Sequence, residues 1–195
     1  MKIHILFGMI GFILLSGCNR AAEKNPRFYD AGVSRELAGH RKAQIKNLKY
    51  ELSFNIPRQK EAAIEGDITL RFDLASRQEV LIDFREEREK IKEVIANGVP
   101  VDKVRFENEH IILPASSTVE GANGIRIRFT AGNQSLNRND EYLYTLLVPD
   151  RARTVFPCFE QPNLKAEFTL QLELPADWKA VSNTYIRSET VTDDR

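Results

Sequence analysis

Residues 48–56, Leu-Lys-Tyr-Glu-Leu-Ser-Phe-Asn-Ile, decide the fold, because apolar and polar side chains alternate strictly along them. A period of two places successive side chains on opposite faces of an extended strand. Residues 64–74, Ile-Glu-Gly-Asp-Ile-Thr-Leu-Arg-Phe-Asp-Leu, repeat the pattern. Each segment is therefore predicted to bury one face and to present the other to water.

Further short apolar segments along the chain are predicted to be strands of the same fold. Asn97-Gly98 is a strong signal for a hairpin turn, and a bend is predicted between Gly121 and Gly124. Many short strands separated by turn signals favour an all-β fold, with antiparallel sheets forming a sandwich or an open barrel. The additional predicted strands are residues 80–84, 90–95, 99–104, 110–113, 125–129 and 168–174.

The segment before the first strand is predicted to contain one short helix. Ser34 is a favourable N-cap and Glu36 lies in the first turn, so we expect a helix over residues 34–44. Residues 18–33 are polar and are predicted to form a tether. The β domain is then predicted to occupy residues 45–195.

Composition limits the classes of function. The chain has 195 residues, with 28 Lys and Arg against 28 Asp and Glu, so its formal net charge is zero. A nucleic-acid-binding domain normally shows a basic excess or stripe, so nucleic acid is not expected as a partner. Two cysteines and three histidines are too few for a disulfide scaffold or a cysteine-rich zinc module.

The N-terminus has the pattern of a secretory signal. Lys2 precedes an apolar run of about 11 residues, whereas a membrane-spanning helix needs about 20. The run ends in Leu15-Ser16-Gly17-Cys18, which resembles the lipobox of bacterial lipoproteins. That resemblance implies cleavage after residue 17, lipidation of Cys18 and a membrane anchor on the extracytoplasmic side of the bacterial envelope. The alternative is an ordinary signal peptide with a chance cysteine.

The residues themselves indicate no catalytic or metal site in this chain. The sequence contains no His-Glu-x-x-His, no Gly-x-Ser-x-Gly and no Cys-x-x-Cys. Cys158 is predicted to be a buried, inert thiol, because a cysteine nucleophile needs a histidine base and neither His40 nor His110 lies in a recognisable motif. Residues 139–141, Asn-Asp-Glu, lack the ligand spacing of a calcium loop.

One stretch resembles a known enzyme family. Phe156-Pro157-Cys158-Phe159-Glu160-Gln161-Pro162, followed by Leu164-Lys165-Ala166, is similar to a segment in the N-terminal β domain of the aminopeptidase N family of zinc metallopeptidases. Weaker similarity extends over roughly residues 45–183, including residues 50–52, 64–66, 81–84 and 150–153. The family carries Asp and Glu where this chain has Glu160 and Gln161.

The resemblance implies a saddle-like β domain packed against a separate catalytic domain, in which zinc activates water to release N-terminal amino acids from peptides. The catalytic domain, the zinc ligands and the catalytic residues are not in this chain, so the resemblance implies a non-catalytic fragment, inactive alone. Its expected partners are the catalytic domain of the same full-length enzyme, the peptide substrates of that enzyme and a membrane. The alternative is a stand-alone lipoprotein β-sandwich that binds a partner or peptide without catalysis.

The resemblance fails at one functional position. The family places a Gln or Glu a few residues before the Phe-Pro-Cys stretch, where it holds the free amine of the substrate. The matching position here is Val148, with Leu146 two residues earlier. Neither side chain can pair with an ammonium group, so the substrate-binding residues of this chain are not identified by sequence.

Overall fold

The computed structural model describes residues 26–102 and 104–191. The predicted signal peptide over residues 1–17 and the predicted lipidation site at Cys18 lie outside the described residues. Within residues 26–102 and 104–191, no helix has the length and apolar character needed to cross a bilayer.

The described chain is built mainly of short strands, which confirms the all-β class with one short helix. Six strands form the largest sheet, in the order β11-β1-β2-β8-β4-β5; a second sheet has the order β3-β7-β6, and β9 pairs with β10. The elements are α1 Arg35–Gln44, β1 Ile45–Asn55, β2 Glu65–Leu74, β3 Val80–Asp83, β4 Ile91–Ala96, β5 Val99–Pro100, β6 Arg105–Glu107, β7 His110–Leu113, β8 Gly121–Thr130, β9 Leu136–Arg138, β10 Leu143–Thr145 and β11 Glu167–Glu173.

Local sequence signals account for most of these elements. The Ser34 side chain accepts a hydrogen bond from the Leu37 N–H and caps α1, as predicted. Asn97 and Gly98 both have positive φ, at 53° and 81°, and connect β4 to β5 in a hairpin.

Two strand boundaries predicted from the sequence are wrong. The predicted bend at residues 121–124 is the first part of β8, which pairs with β2 over its whole length. The side chain of Asn97 accepts the Gly124 N–H at 2.9 Å and supports this extended conformation. The predicted strand over residues 99–104 ends at Pro100, where the chain leaves the sheet before β6 begins.

One strand pair departs from the predicted antiparallel arrangement. β1 and β11 are parallel, and Tyr50 lies opposite Phe168 in their register. These strands are separated by almost the whole domain, and a long connection of this kind permits the parallel pairing that a tight hairpin forbids. β11 therefore forms one edge of the six-stranded sheet.

The main core lies between the six-stranded sheet and the three-stranded sheet. Alternate residues of β1, β2 and β8 point into it, including Ile68, Leu70 and Ile127, which have no exposed surface. From the three-stranded sheet, Ile82 and Ile111 face the same core. This face-to-face packing of two sheets confirms the sandwich predicted from the alternation.

A third layer covers the other face of the three-stranded sheet. Leu37 of α1 packs with Leu81 and Ile112, and Phe28 and Tyr29 complete this small cluster. β3 and β7 are consequently buried along their whole length, on both faces.

Residues 26–33 belong to this third layer, although the sequence assigned them to a tether. Residues 26–29 form a 3-10 helix. The carbonyl of Tyr29 accepts a hydrogen bond from the Asn108 amide at 2.8 Å, and the Tyr29 hydroxyl bonds to Glu79. The folded region therefore begins before Ser34, because two aromatic side chains in a polar stretch find an apolar surface to cover.

Candidate functional site

The Phe-Pro-Cys-Phe loop is held in the core next to β3. The Asp83 N–H donates to the Cys158 carbonyl at 2.8 Å, and the Cys158 N–H donates to the Asp83 carbonyl at 3.0 Å. Phe156 and Phe159 are buried, and Phe159 meets the ring of Phe72 edge-on at 5.6 Å. The loop thus extends the three-stranded sheet and fills the space between the two sheets.

Asp83 is the centre of the polar contacts around this loop. Its carboxylate has no exposed surface and accepts hydrogen bonds from both terminal nitrogens of Arg41, at 2.7 and 2.6 Å. It also accepts the Glu160 N–H at 2.8 Å, and His110 Nδ1 lies 2.8 Å from it. One carboxylate therefore connects α1, β3, β7 and the loop.

The protonation of Asp83 follows from these contacts. Burial alone raises the pKa of the Asp83 carboxyl, but the charge of Arg41, the hydrogen bonds from Arg41 and the His110 ring close by outweigh it, so that the pKa falls to about 2. The group is a carboxylate at neutral pH. A buried ionised pair with two-pronged geometry is strong only while both members are present.

Arg41 reaches Asp83 from α1, across the edge of the three-stranded sheet. Its guanidinium also donates to the Leu81 carbonyl at 2.8 Å and lies 5.2 Å from the centre of the Phe159 ring. Only 3% of its side chain is exposed. A guanidinium suits this position because its planar fork matches the carboxylate and its face stacks on an aromatic ring.

Cys158 is a structural residue, as its burial shows. Burial raises the pKa of the Cys158 thiol, and the nearby charges of Glu160 and Asp83 raise it further. Its sulphur is 3.9 Å from a Glu160 oxygen. His40 bonds instead to Gln78 at 2.6 Å. The described residues thus contain no thiolate–histidine pair of the kind that nucleophilic catalysis requires.

The two positions that depart from the family pattern both make specific contacts. Glu160 accepts the Arg153 N–H at 2.8 Å. Burial raises the pKa of the Glu160 carboxyl, and the bond from Arg153 opposes that rise. The Gln161 amide donates to the Ala38 carbonyl of α1 at 3.1 Å. The substitutions therefore tie the loop to its own neighbours within the domain.

The two residues at the expected amine-binding position lie on the surface. Val148 is 73% exposed and Leu146 is 50% exposed. They follow the β9–β10 hairpin, on which the Tyr142 and Tyr144 rings lie 5.9 Å apart and are also exposed. The hairpin and the segment after it therefore expose apolar side chains, in the part of the chain that precedes the buried loop.

Zinc does not fit the residues that the structure describes. Across residues 26–102 and 104–191, no three His, Cys, Asp or Glu side chains are grouped so that they could hold a metal ion. Asn139 uses its side-chain oxygen to accept the N–H groups of Glu141 and Tyr142, both at 2.8 Å, which makes residues 139–142 an ordinary turn.

The sequence alone missed the Asp83 cluster as a unit. The sequence predicts residues 80–84 as a strand and includes residues 81–84 in the family resemblance, and it places Arg41 in the predicted helix over residues 34–44 without assigning a partner to either charge. The available signal was Asp83 itself, an acidic residue inside the apolar run Val80-Leu81-Ile82-Asp83-Phe84. A charge in such a run needs a partner, but Arg41 and His110 are too distant in sequence to be identified from local pattern.

The geometry and the fold match one family. Residues 46–195 match the family model described as the Peptidase M1 N-terminal domain, and the chain belongs to this family. Aminopeptidase N of Streptomyces lividans is 32% identical over 166 residues, which are 78% of this chain and 19% of that relative. Leucine aminopeptidase 2 of Candida glabrata is 25% identical over 70% of this chain and 23% of that relative.

Solved structures show the same fold. The M1 zinc metallopeptidase of Deinococcus radiodurans superposes with a TM-score of 0.64 at 18% identity, over 77% of this chain and 37% of that protein. A mutant described as a two-domain M1 zinc metallopeptidase bound to L-arginine superposes with a TM-score of 0.61. This chain thus spans about a fifth of the length of these two curated relatives and somewhat more than a third of the length of the solved proteins.

Proposed function

We propose that this chain is the N-terminal, non-catalytic domain of a zinc aminopeptidase that removes N-terminal amino acids from peptides. The main support is the match of residues 46–195 to the N-terminal domain of M1 peptidases. In the structure, the Phe-Pro-Cys-Phe loop of that domain is packed in the core. Zinc and the groups that act on the peptide bond belong, in this proposal, to a catalytic domain outside the 195 residues.

The domain has features suited to a supporting role. Its motif loop is fixed by buried contacts to Asp83, whereas the adjoining residues Tyr144, Leu146 and Val148 are exposed. A rigid loop that follows an exposed apolar segment in the chain can help to position a second domain or a peptide. Val148 and Leu146 offer no charge or hydrogen bond, so we assign the recognition of the substrate amine to the catalytic domain.

The activity of the chain alone tests this proposal. Purified by itself, the chain is expected to contain no stoichiometric zinc and to leave amino-acid anilides uncleaved. The DNA downstream of the Arg195 codon is expected to continue in frame and to encode His-Glu-x-x-His. Chelator-sensitive hydrolysis by the chain alone would contradict the proposal. A stop codon followed by an unrelated gene would favour a stand-alone binding protein.

We also propose that the protein is lipid-anchored through Cys18 on the extracytoplasmic side of a bacterial membrane. The support is the sequence Leu15-Ser16-Gly17-Cys18 after a short apolar run. Cys18→Ala is expected to move the protein from the membrane fraction to the soluble fraction. Cys158→Ala is the matched control, because Cys158 is buried in the core and its loss leaves the anchor intact. An unlipidated native protein by mass spectrometry would overturn the anchor.

A further inference from the structure

The outer side of α1 carries positive charge that the domain does not neutralise. Arg35 and Lys42 are exposed and lie seven positions apart, which is about two helical turns, so their side chains leave the helix on the same side. The buried residues of α1, Leu37 and Arg41, lie on the opposite side. Among the residues that the structure describes, neither Arg35 nor Lys42 forms an ion pair. These two residues, called here the basic stripe, face away from the domain.

The surroundings of the basic stripe keep a surplus of positive charge. Arg77 adds an exposed cation in the turn that bonds to the C-terminal end of α1. Two carboxylates lie near the N-terminal end of α1, and both are within ion-pair distance of Arg27: Asp30 at 3.8 Å and Glu36 at 3.2 Å. Four cations therefore outnumber two carboxylates on this surface, which attracts an external anion.

Charges on the opposite outer face of the domain are paired within the protein. The outward side chains of the six-stranded sheet form ion pairs between neighbouring strands: Lys49 with Glu167, Glu51 with Arg71, Asp67 with Arg126, and Glu93 with Arg128. On β6, Arg105 is likewise paired with Glu79 and Glu107. The basic stripe differs from these positions because it has no acidic partner in the part of the chain that the structure describes.

The chain enters the domain next to the basic stripe. Residues 26–29 pack beside α1, and the Phe28 ring is 4.8 Å from the His40 ring. Cys18, the proposed lipid attachment site, precedes Pro26 by eight residues, which span at most roughly 28 Å at about 3.5 Å per residue. A lipid on Cys18 therefore holds the layer that contains α1, rather than the six-stranded sheet, close to the membrane surface.

We propose that the basic stripe binds anionic phospholipid headgroups, so that the anchored domain lies with α1 on the membrane and with the six-stranded sheet away from it. This orientation, unlike the headgroup binding itself, rests on the proposed lipid anchor. A lysine or arginine near an anionic bilayer strengthens binding about fivefold. Headgroup binding by the stripe therefore adds to the anchor and restricts rotation of the domain about its N-terminal tether.

Gly39 offers a direct test, because it lies between the two residues of the basic stripe on the same side of α1. Gly39 is exposed, and a Cβ atom there would have no neighbouring element within 4 Å. Gly39→Lys adds a positive charge to the stripe, Gly39→Glu adds a negative charge, and Gly39→Ala is the uncharged control. All three are made in the full Cys18→Ala chain, so that binding comes from the protein surface and not from a lipid.

Binding is measured by co-sedimentation with vesicles of phosphatidylcholine, with or without phosphatidylglycerol. On the anionic vesicles we expect Gly39→Lys to bind about fivefold more tightly than Gly39→Ala, and Gly39→Glu about fivefold more weakly. Added salt should reduce these differences, and neutral vesicles should not show them. Thr169→Lys, combined with Gly39→Ala, adds the same charge to the outer face of β11 and should leave binding unchanged. Equal binding by the Gly39 variants, or an equal gain from Thr169→Lys, would overturn the proposal.

The orientation is tested on the native, lipidated protein by the rate at which its lysines are acylated, which peptide mass spectrometry measures. Lys42 belongs to the basic stripe, whereas Lys60 is exposed beyond the far end of β1. Anionic vesicles should slow the acylation of Lys42 about fivefold relative to neutral vesicles and leave that of Lys60 unchanged. Equal rates for Lys42 on both kinds of vesicle would overturn the orientation. A native protein without lipid would overturn the anchor, and the Gly39 variants would still decide whether the stripe binds anionic lipid.

Discussion

The three-stranded sheet and the β11 edge of the six-stranded sheet are covered to very different extents. β3 and β7 are buried on both faces, between the main core and the layer formed by residues 26–44. On β11, Phe168 and Leu170 point to the same face as the buried residues of β1, yet they are 56% and 46% exposed. The difference shows that the domain is covered by its own N-terminal segment on one side and leaves apolar side chains of an edge strand exposed on the other.

The largest expected effect compares one residue type in the two regions. Phe84 has no exposed surface and packs edge-on against Phe129, whereas Phe168 is more than half exposed. Phe84→Ala should lower the free energy of unfolding by about 3–5 kcal/mol. Phe168→Ala should lower it by about 1 kcal/mol or less, because the side chain is more than half exposed and its ring contact is with the Tyr50 ring. Chemical denaturation followed by circular dichroism measures both, and equal losses would remove the distinction between the regions.

The second comparison concerns charge. Asp83→Asn leaves Arg41 buried without its counter-charge, so we expect a loss of about 3 kcal/mol or more in unfolding free energy. Asp67→Asn is the matched control, because Asp67 pairs with Arg126 on the solvated face of the six-stranded sheet. That exposed pair should contribute about 0–1 kcal/mol. Urea denaturation at pH 7 measures both losses in unfolding free energy. A small loss for Asp83→Asn would show that the contacts around Asp83 do not stabilise the Phe-Pro-Cys-Phe loop.

The same carboxylate predicts the response to acid. The pKa of Asp83 is about 2 in the folded protein and about 3.9 in an unfolded chain. Because the pKa of Asp83 is lower in the folded protein, ionised Asp83 stabilises the fold at pH values above its pKa in the unfolded chain. This stabilisation is lost as the pH falls from about 4 to 2. The loss attributable to Asp83 is about 2 kcal/mol. Denaturation curves between pH 5 and pH 2 should show this fall in unfolding free energy in the unaltered chain. The Asp83→Asn variant should not show the part of the fall that is due to protonation of Asp83.

The sequence predicted the strands and turns that depend on residues adjacent to one another along the chain. The alternation in residues 48–56 and 64–74 located β1 and β2, because each strand buries one face. Asn97-Gly98 located a hairpin, because its backbone conformation is a local property. Local signals also misled: Gly121 and Gly124 predicted a bend, yet pairing with β2 and the Asn97 side chain keep these residues extended.

The remaining features depend on contacts between distant segments. The parallel pairing of β11 with β1 joins opposite ends of the domain. No periodic sequence pattern predicts the bond between Arg41 and Asp83, because a charged residue on a helix is normally expected to be exposed to solvent. The third layer was missed because Phe28 and Tyr29 stand in a polar stretch without periodicity. No position of the candidate site could therefore be assigned beyond the motif loop.

The exposed β11 side of the domain is expected to contact other chains, and sedimentation velocity of the purified chain tests this expectation most directly. An edge strand with exposed apolar residues associates with other chains when nothing covers it. We expect self-association that increases with concentration. Leu170→Lys should reduce it more than Thr169→Lys, which places the same charge on the opposite face of β11. A monomer at every concentration, with cooperative unfolding, would contradict the claim and favour a stand-alone domain.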